Sequence, residues 1–361
     1  DAAGSGGAAQ GAIGTRPPVC AVADAALYCA APGVKAARLR LVDGARAWSV
    51  PSGAPDAAPD EAAALVPNGG LLHTVSPGAA SGGGARLEAL DPGSGAVRWG
   101  VGLGAYAQVV HSDGTVLTVL ADGRVRALDA ATGVERWTKR LAAGGAQWVA
   151  GPAGGGAPAR TVFAAAVAAD GASTLVTAVD PANGTVRWSE RLKGSLTPVQ
   201  ATADALVLLS ADKEQYTDAV VRLDTRDRSR RRVALTAAVD QAQAAVDGDT
   251  VYVVGSGGAL TAVDLDGRTE RWRLETGAAR VSRPVVAPNG HVVLSAGDGR
   301  LLAVDATRGV LAGQTPPRMA AGGRGGLAPL LPAPVVTDGK VFASAPDGSV
   351  FAVEADDPAR W

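Results

Sequence analysis

Apolar and polar residues alternate in short runs along most of this chain, and glycine-containing pairs separate the runs. Alternation with a period of two marks a strand that buries one face. Residues 241–264 show it clearly: QAQAAV, the turn Asp247-Gly248, TVYVV, the pair Gly257-Gly258, then ALTAVD. Residues 333–354 repeat the plan with APVV, Asp338-Gly339, VFASA, Asp347-Gly348 and SVFAVE. A third stretch uses Asn289-Gly290 and Asp298-Gly299. Asn-Gly and Asp-Gly tolerate the positive φ of two-residue hairpins. Such stretches predict antiparallel meanders of short strands.

The last strands of each meander carry a recurring motif. An alternating strand ends in Asp, a short turn containing Gly follows, and the next strand carries Trp. The clear copies are LEALDPGSGAVRW, VRALDAATGVERW, VTAVDPANGTVRW and LTAVDLDGRTERW, with Asp91, Asp129, Asp180 and Asp264 each eight residues before Trp99, Trp137, Trp188 and Trp272. Weaker copies fill the gaps. LRLVDGARAW offers Asp43 and Trp48 with a turn read as shortened. VVRLDTRDRSRRR has Asp224 and puts Arg232 where Trp would stand. LLAVDATRGVLAG has Asp305 and no Trp, and FAVEADDPARW has Glu354 and ends at Trp361. The acidic positions lie 38 to 51 residues apart. Four short strands at that period are one blade of a β-propeller.

The expected fold is therefore all-β: one eight-bladed β-propeller of four-stranded antiparallel blades over residues 17–361. Seven blades is the alternative, if the degenerate fifth repeat is an insertion. Residues 1–16 are rich in Gly and Ala and read as a flexible linker. The count places strand A of blade one at the start and strand D of blade eight at the end, so that these blades meet by packing.

The stretch ALDAATGVERW resembles the tryptophan-docking motif of the PQQ-like (quinoprotein, BamB-like) eight-bladed propellers. That family includes quinoprotein alcohol dehydrogenases, the outer-membrane assembly lipoprotein BamB and the extracellular sensor regions of some actinobacterial serine/threonine kinases. The resemblance implies that Trp48, Trp99, Trp137, Trp188, Trp272 and Trp361 pack flat between blades. The motif Asp residues read as turn-formers that accept backbone N–H bonds.

Cys20 and Cys29 flank AVADAALY, whose centre is Asp24-Ala25. If the flanks pair as a hairpin about that centre, the two cysteines stand opposite each other, within disulfide reach. A disulfide implies an oxidising compartment; two buried free thiols are the other reading.

Composition narrows the function. The chain is 47% hydrophobic, 19% charged and carries a net charge of −1, and no apolar run reaches membrane-spanning length. This balance argues against a general nucleic-acid binder. A membrane would be reached only through an anchor outside this chain. Chemistry is equally sparse. The quinoprotein dehydrogenases would imply calcium, a quinone, a catalytic Asp and adjacent cysteines, and this sequence has no adjacent Cys pair. His73, His111 and His291 fall in separate repeats, away from metal-ligand spacing. The clusters Gly82–Gly84 and Gly154–Gly156 lack the helix and Lys of a phosphate cradle. No catalytic residue, metal or cofactor is expected.

The expectation is a non-catalytic extracytoplasmic domain that binds a protein, a cell-wall polymer or a small molecule. The sensor region of a membrane-anchored serine/threonine kinase or receptor leads. A BamB-like lipoprotein scaffold for envelope proteins and a PQQ-dependent dehydrogenase are the alternatives. Three candidate sites follow. The long connection before blade eight supplies Arg318, Met319, Arg324, Leu327, Leu330 and Leu331 for a partner. It shares a face with the long loops at 50–61 and 76–85. Arg226, Arg228, Arg230, Arg231 and Arg232 in blade five could meet a polyanion. Gln108, Trp148 and Gln243 on innermost strands could line an axial channel.

Overall fold

The computed structural model describes residues 17–52, 64–76, 84–152, 160–319 and 331–361. Eight antiparallel sheets follow one another along the chain, each a meander in sequence order. They occupy residues 19–51, 66–102, 106–140, 147–193, 195–239, 243–275, 285–314 and 335–354. The fold is an eight-bladed β-propeller, and seven of its sheets have four strands. The strands of a blade are called A to D in chain order. Among the described residues the eighth blade has three.

Two compact units make up the chain. One contains blades one, two, seven and eight; the other, residues 103–275, contains blades three to six. In both, strand B is the buried heart of each blade. Thr250–Val254 is buried at every position, as are five of six residues in Thr115–Leu120. β-branched and leucine side chains on both faces fill the spaces between neighbouring sheets. In the second unit, for example, Leu206, Leu208, Val221 and Leu223 of blade five pack with Phe163, Ala165, Val176 and Ala178 of blade four.

The motif turn between strands C and D is built the same way seven times. Its residue four places after the motif position has positive φ: Gly44, Gly95, Gly133, Gly184, Arg228, Arg268 and Gly309 lie between +55° and +74°. The N–H of Gly95, Gly133, Gly184, Arg228 and Gly309 closes the turn by donating to the carbonyl of the motif residue. Gly44 makes that bond to Arg40, not to Asp43. Blade one therefore carries the motif at full length, with Arg40 where other blades have an acid. Arg40 to Trp48 is again eight residues, and Asp43 pairs with Arg40 across the turn. The reading of a shortened turn is corrected accordingly.

Blade eight breaks the rule for a covalent reason. Four places after Glu354 stands Pro358. Its ring fixes φ near −65°, so the positive-φ turn cannot form. Residues 358–360 make a 3₁₀ turn instead, and no strand D follows among the described residues. The turn crosses to blade seven, where Gly313 occupies the motif Trp position. A Cβ on Gly313 would lie 1.8 Å from the Pro358 carbonyl oxygen, so only Gly admits this contact. The expected fourth strand of blade eight is thus replaced by a segment that fills the gap left by blade seven's missing Trp.

Candidate functional site

Cys20 and Cys29 sit directly opposite each other on strands Val19–Ala23 and Ala26–Ala31. Their sulfurs are bonded, with Cα atoms 4.1 Å apart. The bridge lies at the junction of blades one and eight, in a cluster with Leu27, Phe342 and the half-buried Val22, Leu39, Leu41, Val335 and Val350. It ties together the first two strands of blade one beside that junction.

The motif tryptophans adopt a common pose where blades meet within a unit. Trp48 Nε1 donates to the Pro92 carbonyl at 3.1 Å, and Trp137 Nε1 to the Pro181 carbonyl at 3.0 Å. The Trp rings lie over the turn glycine of the next blade. A Cβ on Gly95 would approach the Trp48 ring to 2.8 Å, and one on Gly184 the Trp137 ring to 3.0 Å. Trp99 meets the buried His73 edge-on at 5.2 Å, Trp188 packs near Phe163, and Trp272 near Tyr252. Trp361 does something else. Seven residues after Glu354 rather than eight, it donates Nε1 to the Glu354 carbonyl of its own blade at 2.8 Å. It also packs into the cluster between blades seven and eight, so its assignment as a docking Trp toward the next blade is corrected.

Each complete motif also holds an ion pair. Arg98, Arg136, Arg187 and Arg271, all one residue before the Trp, bond Asp91, Asp129, Asp180 and Asp264. One carboxylate oxygen closes the turn by accepting backbone N–H groups, and the other takes the Arg. The Arg98 hydrogen bond, with help from Ser94, lowers the Asp91 pKa to about 2. The Arg136 bond lowers Asp129, and backbone donation from Gly267 followed by Arg271 lowers Asp264. A carboxylate lowered in the folded state stabilises it above the unfolded pKa near 3.9, and this support fades as pH falls through the folded value. The melting temperature should therefore drop as pH falls from about 4 toward 2. Asp91→Asn should flatten that slope, which a melting series against pH checks.

The arginine cluster of blade five is largely engaged by the protein itself. Arg230 meets Glu190 at 3.4 Å, Arg231 meets Asp266 at 2.8 Å and Arg232 meets Asp218 at 3.0 Å. Arg228 stacks over the Trp188 ring at 5.6 Å, and Arg226 is exposed. Arg222, at the motif position that is Ala in blades two to four and six to eight, is largely buried among Asp204, Asp224 and Asp249. With acids interleaved in this way the surface is not a basic patch, and the polyanion site is set aside.

The channel residues separate. Trp148 is 2% exposed and packs in the core between blades three and four with Val110, Leu117, Val162 and Ala164, so it lines no opening. Gln108 acts as a clasp. Its Nε2 donates to the Trp148 carbonyl at 2.8 Å and its Oε1 accepts from the Trp148 N–H at 3.0 Å. Gln243 is half-buried at the start of strand A of blade six.

Of the partner-binding residues, Arg324, Leu327 and Leu330 lie outside the described residues, as do most of the loops at 50–61 and 76–85. Met319 is 56% exposed and Leu331 half-buried. The Arg318 guanidinium stacks over Phe351 at 4.3 Å, and its backbone N–H donates to the Asp298 carbonyl. Phe351 belongs to Val350–Glu354, strand C of blade eight. These contacts bring the described part of the partner patch to the blade that shows three strands among the described residues.

The effect of that missing strand is visible in a single residue. The motif alanines Ala89, Ala127, Ala178, Ala262 and Ala303 are completely buried, each paired with a residue of strand D. Ala352, their counterpart in blade eight, is exposed. The Glu354 side chain is 72% exposed, with Lys340 Nζ at 3.9 Å and no motif Arg. We take this strand edge, with its flanks, as the candidate functional site.

Comparison with known proteins agrees with the fold. The family model described as "Outer membrane protein assembly factor BamB" matches residues 34–194 and 121–323, most of the chain. This chain belongs to the BamB family of PQQ-like propellers. BamB from Moraxella catarrhalis superposes with a TM-score of 0.63 at 17% identity, over 93% of this chain and 95% of that one. The computationally designed Ika8 protein gives 0.66, also at 17% identity, over 94% and 96%. Quinohemoprotein alcohol dehydrogenase from Comamonas testosteroni gives 0.54 at 15% identity, over 91% of this chain and 70% of the enzyme. At these identities the likeness is one of fold. No curated protein sequence matches this chain closely enough to count as a relative. Among the described residues no three His, Cys, Asp or Glu side chains converge to hold a metal. The cysteines are bonded across a hairpin.

Proposed function

We propose that this chain is a non-catalytic binding propeller that works outside the cytoplasm and takes a protein as its partner. The observation that carries this is the match of most of the chain to a family model described as an assembly factor of outer membrane proteins. The Cys20–Cys29 disulfide supports an oxidising location. No helix among the described residues is long and apolar enough to cross a membrane, so tethering would come from elsewhere. The finer reading is the sensor region of a membrane-anchored serine/threonine kinase or receptor. A scaffold for envelope proteins is the second reading, favoured by the family model.

Two measurements test the proposal. Protease added to intact cells should degrade the chain while a cytoplasmic control survives; survival of both contradicts the location. Titration with PQQ and calcium should leave the tryptophan fluorescence unchanged. Saturable quenching would favour a quinoprotein enzyme over a binding domain.

A further inference from the structure

We infer that the cavity between blades one and two is a docking pocket for one arginine side chain of a partner protein, with Asp24 as the carboxylate that receives the guanidinium. The inference deepens the binding reading above and rests on it.

Both blades belong to one compact unit. The cavity measures about 230 Å³ and lies between Ala23 and Asp24 of the A–B hairpin of blade one and Pro67, Asn68, Leu71 and Pro92 of blade two. Leu72, which also lines it, is 1% exposed and packs with Ala26, Tyr28 and Leu90 between the two blades. The volume is below the roughly 300–1,000 Å³ of sites for drug-sized ligands, so it suits a single side chain. The Pro92 carbonyl is already engaged, because the Tyr28 hydroxyl and Trp48 Nε1 donate to it at 3.3 and 3.1 Å. The charge of the cavity is that of the Asp24 carboxylate. Asp24 and Ala25 form the hairpin turn with φ of +45° and +53°. The Cys20–Cys29 bridge closes the hairpin behind them, so the carboxylate is presented from a stapled turn.

The chemistry of the occupant can be read from the corresponding place two junctions further along the chain. Asp113 follows strand A of blade three as Asp24 follows strand A of blade one. Asp113 pairs at 3.0 Å with Arg160, which stands just before strand B of blade four. There the next blade delivers a guanidinium across the junction. In blade two the same connection is the tight turn Gly69-Gly70, with φ of +60° and +78°, and it has no side chain to deliver. Arg38, paired with Tyr28 on the adjoining strand of blade one, stands over the Tyr28 ring at 6.0 Å. Among the described residues Asp24 takes part in no ion pair. An arginine from a partner would lay its methylene stem along Pro67, Leu71 and Pro92 while its head reaches Asp24. The planar fork of Arg matches a carboxylate in a way that the point charge of Lys does not.

The test titrates the peptide Gly-Gly-Arg-Gly-Gly, blocked at both ends, into the isotope-labelled full chain and follows amide shifts by NMR. Saturable shifts are expected at Ala23, Asp24, Leu71 and Leu72. Citrulline in place of the peptide's Arg keeps the shape and removes the charge. That peptide, and the chain variant Asp24→Asn, should each bind roughly fivefold more weakly. Asn tolerates the left-handed turn, so the melting temperature of the variant should be unchanged. Asp113→Asn, at the acid that Arg160 already holds, should leave the titration as it is. Absence of shifts at the cavity, or equal binding by the citrulline peptide or by Asp24→Asn, overturns the inference. Agmatine binding about tenfold tighter than the peptide would assign the pocket to a free guanidinium compound and overturns it as well. Each of these results leaves the protease and quinone measurements standing, so failure of this pocket is distinguishable from failure of the binding reading.

Discussion

Truncation of Trp148 to alanine is expected to lower stability by about 3–5 kcal/mol, the range for removing a fully buried large aromatic side chain. The ring is 2% exposed and packs against Val110, Leu117, Val125, Val162 and Ala164 at the junction of blades three and four. Gln108 grips the backbone of the same residue from blade three, so collapse of the strand into the void is opposed and the cavity persists. Denaturant titration of the variant reads the effect as a shift in midpoint at similar slope. A change below about 1 kcal/mol would mean that the side chain faces an open space, as an axial ligand site requires.

Loss of the disulfide has the next largest expected effect. The bridge closes a loop with a sequence separation of nine. For a loop of that size the chain-entropy model gives about 2–3 kcal/mol. Here the bridge also anchors the strands that face Phe342 of blade eight. Reduction with a phosphine should lower the melting temperature of the native chain and leave the Cys20→Ser/Cys29→Ser variant unmoved. Equal melting temperatures of the two under non-reducing conditions would show that the cross-link adds nothing.

The repeat was legible because its parts sit at fixed offsets. The interval of eight from Asp to Trp located four blades without ambiguity, and the symmetry of Cys20 and Cys29 about Asp24-Ala25 located the disulfide. The same offsets held what was missed. Counting eight back from Trp48 lands on Arg40, but the nearby acid Asp43 drew the assignment to itself. The turn depends on a positive φ four places on, and the pairing with Asp43 shows that the charges can exchange places. Counting four forward from Glu354 lands on Pro358, which forbids the positive-φ turn. The Arg before each Trp was equally visible in VRW, ERW, VRW and ERW, yet its partner is the acid seven residues away across the turn. Trp148 was placed by strand alternation alone, which gives two faces and does not say which one a neighbouring blade covers. The blade-five arginines looked like a basic patch because their partners Glu190, Asp218 and Asp266 come from other strands and a turn of the next blade.

Amide hydrogen exchange along strand C of blade eight, measured on the free full chain, tests the central claim most directly. Blade six is the internal control, because Leu260 and Ala262 pair with Leu274 and Trp272 of its fourth strand. The N–H groups of Val350 and Ala352 should exchange far faster than those of Leu260 and Ala262, while Phe351 and Val353, bonded inward, stay protected. Equal protection of Val350, Ala352, Leu260 and Ala262 would show that a fourth strand pairs with blade eight and would contradict the reading of Pro358 as the residue that breaks its motif.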